Sequence, residues 1–506
     1  MIPSPGTEFD LLIVGGGING AGIARDAAGR GVRTVLVDQG DFGGATSSAS
    51  TKLIHGGLRY LEHYEFRLVA ESLAEREVML RLAPHLVSPL RFVMPHAPSL
   101  RPAWMIRVGL WLYDRMGGRG SLPASAGVRL RADGYGAALK PDLSRGFSYF
   151  DAWTDDARLV IVNLKSAREH GATLLPRTRL VAAAREGGRW RAMLEDAASG
   201  ERFELLARVL VNAAGPWVKD VTDRTESPVA AKVRLVKGSH IVVPRVHRGD
   251  HACILQNADQ RVIFLIPFEE AFTLIGTTDA LIESIDQAQA ITVEETRYLL
   301  AAVNRYLRQP LSADDVVWSY SGARPLYDDG KGDPAAITRD YTLVVDDRAG
   351  AVQLAIFGGK LTTYRKLAEA VLARLAPWLT YRRAAWTLGE ALPGGGFAPA
   401  ARAATLQGLY AAYPQLPPAL LRALFARHGL GVAGVLGGAR TLDDLGRDFG
   451  GGLYQREAEY CIDEEWAQAA GDILWRRTKT GLHMSPAQRD AFADWFAGSR
   501  AAARLT

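Results

Sequence analysis

Asp10-Leu11-Leu12-Ile13-Val14-Gly15-Gly16-Gly17-Ile18-Asn19-Gly20 decides the fold: an unbroken apolar run gives way to spaced glycines and then to helix-forming sequence. The run predicts a buried strand, Ile18 to Arg30 a helix, and Thr34 to Val37 a second buried strand ending on Asp38. Gly15, Gly17 and Gly20 form G-x-G-x-x-G directly after a strand and before a helix, the context that makes the pattern informative. Such glycines permit a tight turn, close approach of a pyrophosphate and close packing of helix on strand, while the helix N-terminus offers its N–H groups to the phosphates. Asp38 stands where a carboxylate accepts hydrogen bonds from both hydroxyls of a ribose. These residues predict a dinucleotide site in a doubly wound α/β domain, without separating FAD from NAD.

Further along, Glu65 to Ala83 predicts a helix with Leu68, Val69, Leu73 and Leu80 on one side and Pro84 as its stop. Ala157 to His170 predicts another, with Asp155 and Asp156 as capping candidates and Gly171 at its end. From about Thr178 the period becomes two: Trp190, Ala192 and Leu194 alternate with polar residues, and Phe203 to Val211 ends in a continuous apolar run. Between Lys232 and Gly276 short strands recur (Ser239 to Val243, Arg261 to Ile266, Phe272 to Gly276), predicting an antiparallel sheet beside the parallel one. Leu392-Pro393-Gly394-Gly395-Gly396 is the clearest linker, and the sequence beyond it reads as helices. The expected division is therefore a nucleotide- and substrate-binding region over 1–390 and a helical cap over 391–506. Within the first, the nucleotide domain draws on approximately 1–95, 150–230 and 340–380, and the intervening segments form the substrate sheet.

Two distant segments favour FAD. Val209-Leu210-Val211-Asn212-Ala213-Ala214-Gly215 is a buried strand running into small residues, and Gly358-Gly359-Lys360 stands at the start of a helix carrying Leu367, Val371 and Leu375. A long flavin nucleotide needs both ends of its site built from separated stretches, and a helix N-terminus stabilises negative charge developing on a reduced flavin.

At 506 residues the chain is long enough for two or three domains. Its net charge of +5 favours anionic partners only mildly, and no basic run is interleaved with stacking aromatics, so nucleic acid is not an expected partner. Cys253 and Cys461 are too few and too distant for a disulfide framework; they point to a reducing compartment and read as buried apolar residues, and no metal site is expected. Met1 to Asp10 lacks the pattern of a secretory signal, and no window approaches ~18 uninterrupted apolar residues, so membrane contact is expected to be peripheral.

Longer strings carry a family likeness. Thr46-Ser47-Ser48-Ala49-Ser50-Thr51-Lys52-Leu53-Ile54-His55-Gly56-Gly57-Leu58-Arg59-Tyr60-Leu61, Lys237-Gly238-Ser239-His240, Ser321-Gly322-Ala323-Arg324-Pro325-Leu326, Phe357 to Lys366 and Trp475-Arg476-Arg477-Thr478-Lys479 resemble the aerobic, FAD-linked glycerol-3-phosphate dehydrogenases. Asp38 departs from the glutamate common there, Ala214 from threonine and Ala323 from valine, all small changes. The resemblance implies a fold like that of glycine and D-amino-acid oxidases, with a C-terminal helical cap. It implies that Gly15, Gly17, Gly20, Asp38, Thr46, Ser47, Ser48, Lys52, His55, Gly57, Ala213, Gly215, Gly359, Lys360, Leu361 and Thr362 serve FAD. It also implies that Arg59, Tyr60, His240, Thr277, Arg324, Arg339 and Lys360 line the substrate pocket, with Arg324 and Arg339 as the phosphate clamp.

The chemistry suits these residue types. Guanidinium forks bond a phosphate dianion at two points and stay charged at every working pH. Oxidising a secondary alcohol requires a base for the hydroxyl proton; His240 is the first candidate, with Arg59 and Lys360 as rivals. The resemblance further implies ubiquinone as electron acceptor, attachment to the inner face of the cell membrane from the cytoplasm, and a homodimer. Arg101 to Arg119, in which Trp104, Met105, Ile106, Leu110, Trp111, Leu112 and Tyr113 mix with Arg107, Arg115 and Arg119, is the candidate amphipathic helix for that contact. A glycerol-3-phosphate oxidase, reducing oxygen to hydrogen peroxide, is the alternative on the same residues.

Overall fold

The structure, a computed structural model, describes all residues except 1, 2, 5, 98–100, 119, 226–231, 258, 260, 329–339 and 504–506. Arg339 and Arg119 therefore lie outside the described residues, and Arg59 is described only in its backbone.

Two sheets organise the larger part of the chain. In the first, the strands run Thr342–Asp346, Val352–Phe357, Arg202–Asn212, Glu8–Val14, Thr34–Val37, Thr173–Leu175, parallel apart from the edge pair Thr342–Asp346 with Val352–Phe357. Val14 lies in register with both Val37 and Asn212, so the strands end together and open a crevice at their carboxyl ends. The expected alternating segments form the hairpin Thr178–Glu186 with Arg189–Asp196, which joins this sheet antiparallel along the first half of Arg202–Asn212. The opening helix Ile18–Gly29, the helix Asp156–Glu169 and the helix Tyr364–Leu375 pack together on one face. Asp155 caps the second of these by accepting from Arg158 N. The helix expected over Glu65 to Ala83 spans Phe66–Leu82.

The second sheet runs Ala280–Ile282, Lys232–Pro244, Phe272–Gly276, Val262–Phe268, Ala252–Gln256, Val87–Pro95, Arg145–Thr154, Leu53–Ile54, with Trp318–Asp328 along the outer side of Lys232–Pro244 and Ala126–Arg129 on Arg145–Thr154. It is antiparallel except where Ala252 and Cys253 run parallel to Phe92 and Val93. Val87–Pro95, inside the span expected for the nucleotide domain, hydrogen-bonds in this second sheet instead. Its apolar residues do not reveal which sheet receives them, because pairing is settled by the non-local partner Arg145–Thr154.

Beyond the linker the helices Arg402–Ala412, Pro418–His428, Val432–Leu436, Gln455–Glu464 and Pro486–Ala503 enclose two small cores. Pro418–Leu436 meets the length and composition of a membrane span, with hydropathy 1.3, a stretch not expected from the sequence, but half of it is buried. Leu421, Leu424, Phe425, Val435 and Leu436 spend that apolarity on the cap's own core. Buried ion pairs join the cap to the nucleotide domain: Arg477 holds Asp41 at two points, both 2.7 Å, and Lys479 pairs with Asp155 at 2.5 Å. Arg158 pairs with Glu465 across the same contact.

Candidate active site

A cavity of about 1040 Å³ lies between the sheets and takes its lining from both. At its nucleotide end Gly15 turns with φ +112°, and a Cβ there would meet the Ala213 carbonyl oxygen at 2.4 Å; at Gly20 a Cβ would come within 1.9 Å of Gly15 O. The first and third glycines are thus required by close backbone approach, as their spacing implied. Asp38 accepts from Gly16 N at 2.6 Å and Gly40 N at 2.7 Å, and burial raises its carboxyl to about 6 against those N–H groups. Ser47 Oγ accepts from Ile18 N at 2.9 Å, occupying one N–H of the helix terminus. Gly17, Thr46, Ser47, Ala213, Gly215, Gly359, Leu361 and Thr362 also line this cavity.

Some assigned cofactor residues sit elsewhere. Lys52 does not line the cavity: its buried ammonium pairs with Asp156 at 2.8 Å and donates to Ser48 O at 3.0 Å. Ser48 and Gly57 are likewise outside the lining, and Gly20 contributes by packing alone. A lysine in a motif is indistinguishable in sequence from a phosphate ligand when its partner, Asp156, comes from a distant helix.

At the other end His240, Arg324, Thr277, Tyr60, His55 and Lys360 come together. His240 is 2% exposed, stacks on Tyr320 at 4.9 Å and has Nε2 3.0 Å from Thr51 Oγ1. Burial, then the charges of Lys52 and Arg324, lower it to about 3, so the ring is neutral at physiological pH. His55 is lowered to about 4 by burial and by Lys360. Its backbone N–H donates to Thr362 Oγ1 at 3.2 Å, tying the Leu53–Ile54 segment to the start of the helix beyond Lys360. The Lys360 ammonium lies 3.8 Å from the centroid of the Tyr60 ring. Arg324 forms an ion pair with Asp279, so the expected phosphate clamp already carries an acidic partner.

Sequence reasoning missed Thr51, Tyr320 and Asp279, which reach this end only through strand register and turns. It also missed Arg177 and Arg476, which line the cavity and share Asp472, at 2.7 Å from Arg177. Arg476 stood inside a recognised string but had no stated role.

The residues present fit a long dinucleotide: a glycine cradle with no room for side chains, a cavity-lining carboxylate after the second strand and a ring end lined by neutral histidine and cations. A family model described as FAD dependent oxidoreductase matches residues 10–365. The aerobic glycerol-3-phosphate dehydrogenase of Escherichia coli (strain K12) is 50% identical over 96% of this chain and 97% of its own length. The D-erythritol 1-phosphate dehydrogenase of Brucella abortus (strain 2308) is 48% identical over 96% and 97%. The X-ray structure of the glycerol-3-phosphate dehydrogenase from Bacillus halodurans complexed with FAD superposes with a TM-score of 0.75 at 26% identity, covering 97% of this chain and 94% of that one. Fold and site define a flavin-dependent oxidoreductase. The chain belongs to the FAD-dependent oxidoreductase family, in the branch that holds the glycerol-3-phosphate dehydrogenases, and FAD is its cofactor.

Proposed function

We propose that this protein oxidises the secondary alcohol of sn-glycerol 3-phosphate to dihydroxyacetone phosphate and delivers the electrons to ubiquinone or a related quinone at the cytoplasmic face of the membrane. The observation that carries the reading is the convergence of His240, Arg324 and Lys360 on one cavity with the dinucleotide cradle. FAD, when bound, supplies the hydride acceptor. Arg324 and Lys360 offer cationic groups to the phosphate, and His240 takes the hydroxyl proton on a ring held by the Thr51 hydroxyl at Nε2 and by its stack on Tyr320. Burial is the main cause of the depressed imidazole, and an arriving phosphate dianion would offset only the smaller contribution of the neighbouring cations.

Support for the membrane side comes from the helix Ala103–Met116. Leu110 and Tyr113 are buried, whereas Trp104, Met105, Val108 and Trp111 leave an apolar stripe exposed to solvent, with Trp104 67% exposed. Arg115 lies over the Trp111 ring and Arg107 donates to Ser125 O at 2.8 Å. On the inner side Tyr113 Oη accepts from Gly56 N at 2.9 Å, so this surface is one hydrogen bond from the loop that carries His55.

Anaerobic mixing of the FAD-loaded protein with glycerol 3-phosphate tests the reading, followed by reoxidation with a quinone analogue or oxygen. Rapid bleaching and preferential reoxidation by quinone are expected. Faster bleaching by D-erythritol 1-phosphate would reassign the substrate, rapid peroxide formation would make the protein an oxidase, and no bleaching by either ester would sink the substrate reading.

A further inference from the structure

On the strand Lys232–Pro244, His240 faces the cavity, and Ile241 therefore faces away from it. Ile241 and Val243 pack there in one apolar cluster with Cys253, Leu265 and Ile275. At the margin of that cluster the turn after Lys232–Pro244 brings His247 and His251 against Cys253. The donor atoms of all three lie within 4.8 Å of one another. The two imidazoles stack at 4.3 Å with an interplanar angle of 22°.

His247 and His251 are 9% and 6% exposed, yet His247 Nδ1 and His251 Nε2 are buried with no hydrogen-bond partner among the described residues. A buried polar atom left unsatisfied costs about 1–3 kcal/mol, so two of them on rings clustered with a buried sulfur call for a ligand. We propose that His247, His251 and Cys253 bind one zinc-class divalent ion on the face of the substrate sheet opposite the catalytic cavity.

The surroundings favour the arrangement. Arg245 ties the loop by donating to His247 O at 2.9 Å and Gly249 O at 3.1 Å. Gly249 passes so close that a Cβ there would lie 2.6 Å from His251 Nδ1. The backbone groups of Tyr135 and Gly249 stand within hydrogen-bond reach of the His251 and His247 rings, the kind of partner that fixes the tautomer of a ligating imidazole. Zinc bonds of about 2.0–2.3 Å in tetrahedral geometry place ligand atoms about 3.3–3.8 Å apart, so binding requires the two rings to turn out of their stack and close on the sulfur.

Two imidazoles and a thiolate select a borderline-soft ion over magnesium or calcium. Binding replaces the thiol proton of Cys253, which leaves to solvent, so the thiolate offsets the repulsion from nearby Arg245 and Arg91, and Asp250 adds a favourable charge. The fourth position falls to water. The ion would fasten the turn to Ala252–Gln256, in the same sheet that presents His240 on its other face.

Cobalt(II) titration of the FAD-loaded protein after dialysis against a chelator tests this, with spectra taken as differences from the metal-free holoenzyme. The expected result is one bound equivalent with a thiolate-to-cobalt charge-transfer band and ligand-field bands of tetrahedral intensity, displaced by zinc and not by magnesium. Cys253→Ser should abolish the charge-transfer band, and His251→Asn should weaken binding by more than about 100-fold. Absence of the band in the unaltered protein would overturn the proposal whatever the variants do, as would an identical band in Cys253→Ser.

Discussion

Gly276 lies directly opposite His240 in the strand register, and a Cβ at that position would come within 2.0 Å of the imidazole Cδ2. The catalytic candidate thus occupies room vacated by a missing side chain. Gly276→Ala should displace the ring and slow substrate-dependent flavin reduction by about 10²–10⁴-fold, the range of a lost general base, with FAD content unchanged. Single-turnover bleaching beside the flavin absorbance of the purified variant measures both, and normal bleaching would separate the ring from the chemistry.

The low proton affinity of His240 predicts a pH profile. With its value lowered to about 3, the ring is already unprotonated throughout the neutral range. The kcat/KM for glycerol 3-phosphate should therefore show no loss from this group as pH falls from 8 to 5, because kcat/KM reports the free enzyme. A base that began as a lysine ammonium would instead give a rate climbing steadily with pH. A plateau that disappears in His240→Gln supports histidine, whereas a steady climb that disappears in Lys360→Met assigns the proton to Lys360.

Asp38 makes the cofactor-free protein pH-sensitive. Its folded-state value of about 6 lies above the unfolded one, so folding favours the protonated form. The resulting penalty is full above about pH 6 and absent below about pH 4, and amounts to roughly 1–3 kcal/mol. Asp38→Asn should raise the melting temperature of the apoprotein at pH 7.5, leave it unchanged at pH 4, and weaken FAD binding. Equal shifts at both pH values would contradict this account.

Arg477 has 0% side-chain exposure and Asp41 3%, so truncating Arg477 leaves a buried carboxylate with Arg476, at 2.6 Å, as its remaining cation. Arg477→Met should lower the melting temperature of the whole chain, at the low end of the about 3–5 kcal/mol that breaking a buried pair costs, because Arg476 still answers Asp41. The double variant Arg477→Met with Asp41→Leu should recover part of that loss. No recovery would show that the pair's contribution is packing alone.

The exposed tryptophans, more than the arginines, should hold the helix Ala103–Met116 to a membrane. Trp104→Ser and Trp111→Ser are each expected to weaken binding to anionic vesicles by roughly tenfold, from the apolar area no longer buried. Activity with a soluble dye should persist. Neutralising Arg107 and Arg115 should have the smaller effect, since each already has a hydrogen-bond partner. Unchanged sedimentation of the tryptophan variants with vesicles would remove this helix from the membrane surface.

The sequence alone determined whatever depends on neighbours along the chain. Gly15, Gly17, Gly20 and Asp38 sit within one βαβ unit, so glycine spacing, apolar periodicity and a carboxylate at a strand end suffice to predict a nucleotide cradle. Helix limits at Phe66–Leu82 and Asp156–Glu169 were legible for the same reason, through apolar periodicity and the Asp155 cap. Only the tertiary structure decided that Lys52 answers Asp156, that Arg324 answers Asp279, that Gly276 makes room for His240, and that Val87–Pro95 joins the second sheet. Each of those facts joins residues brought together by strand register or packing of distant elements, and neither charge nor hydrophobicity along the chain encodes which remote partner a side chain will meet.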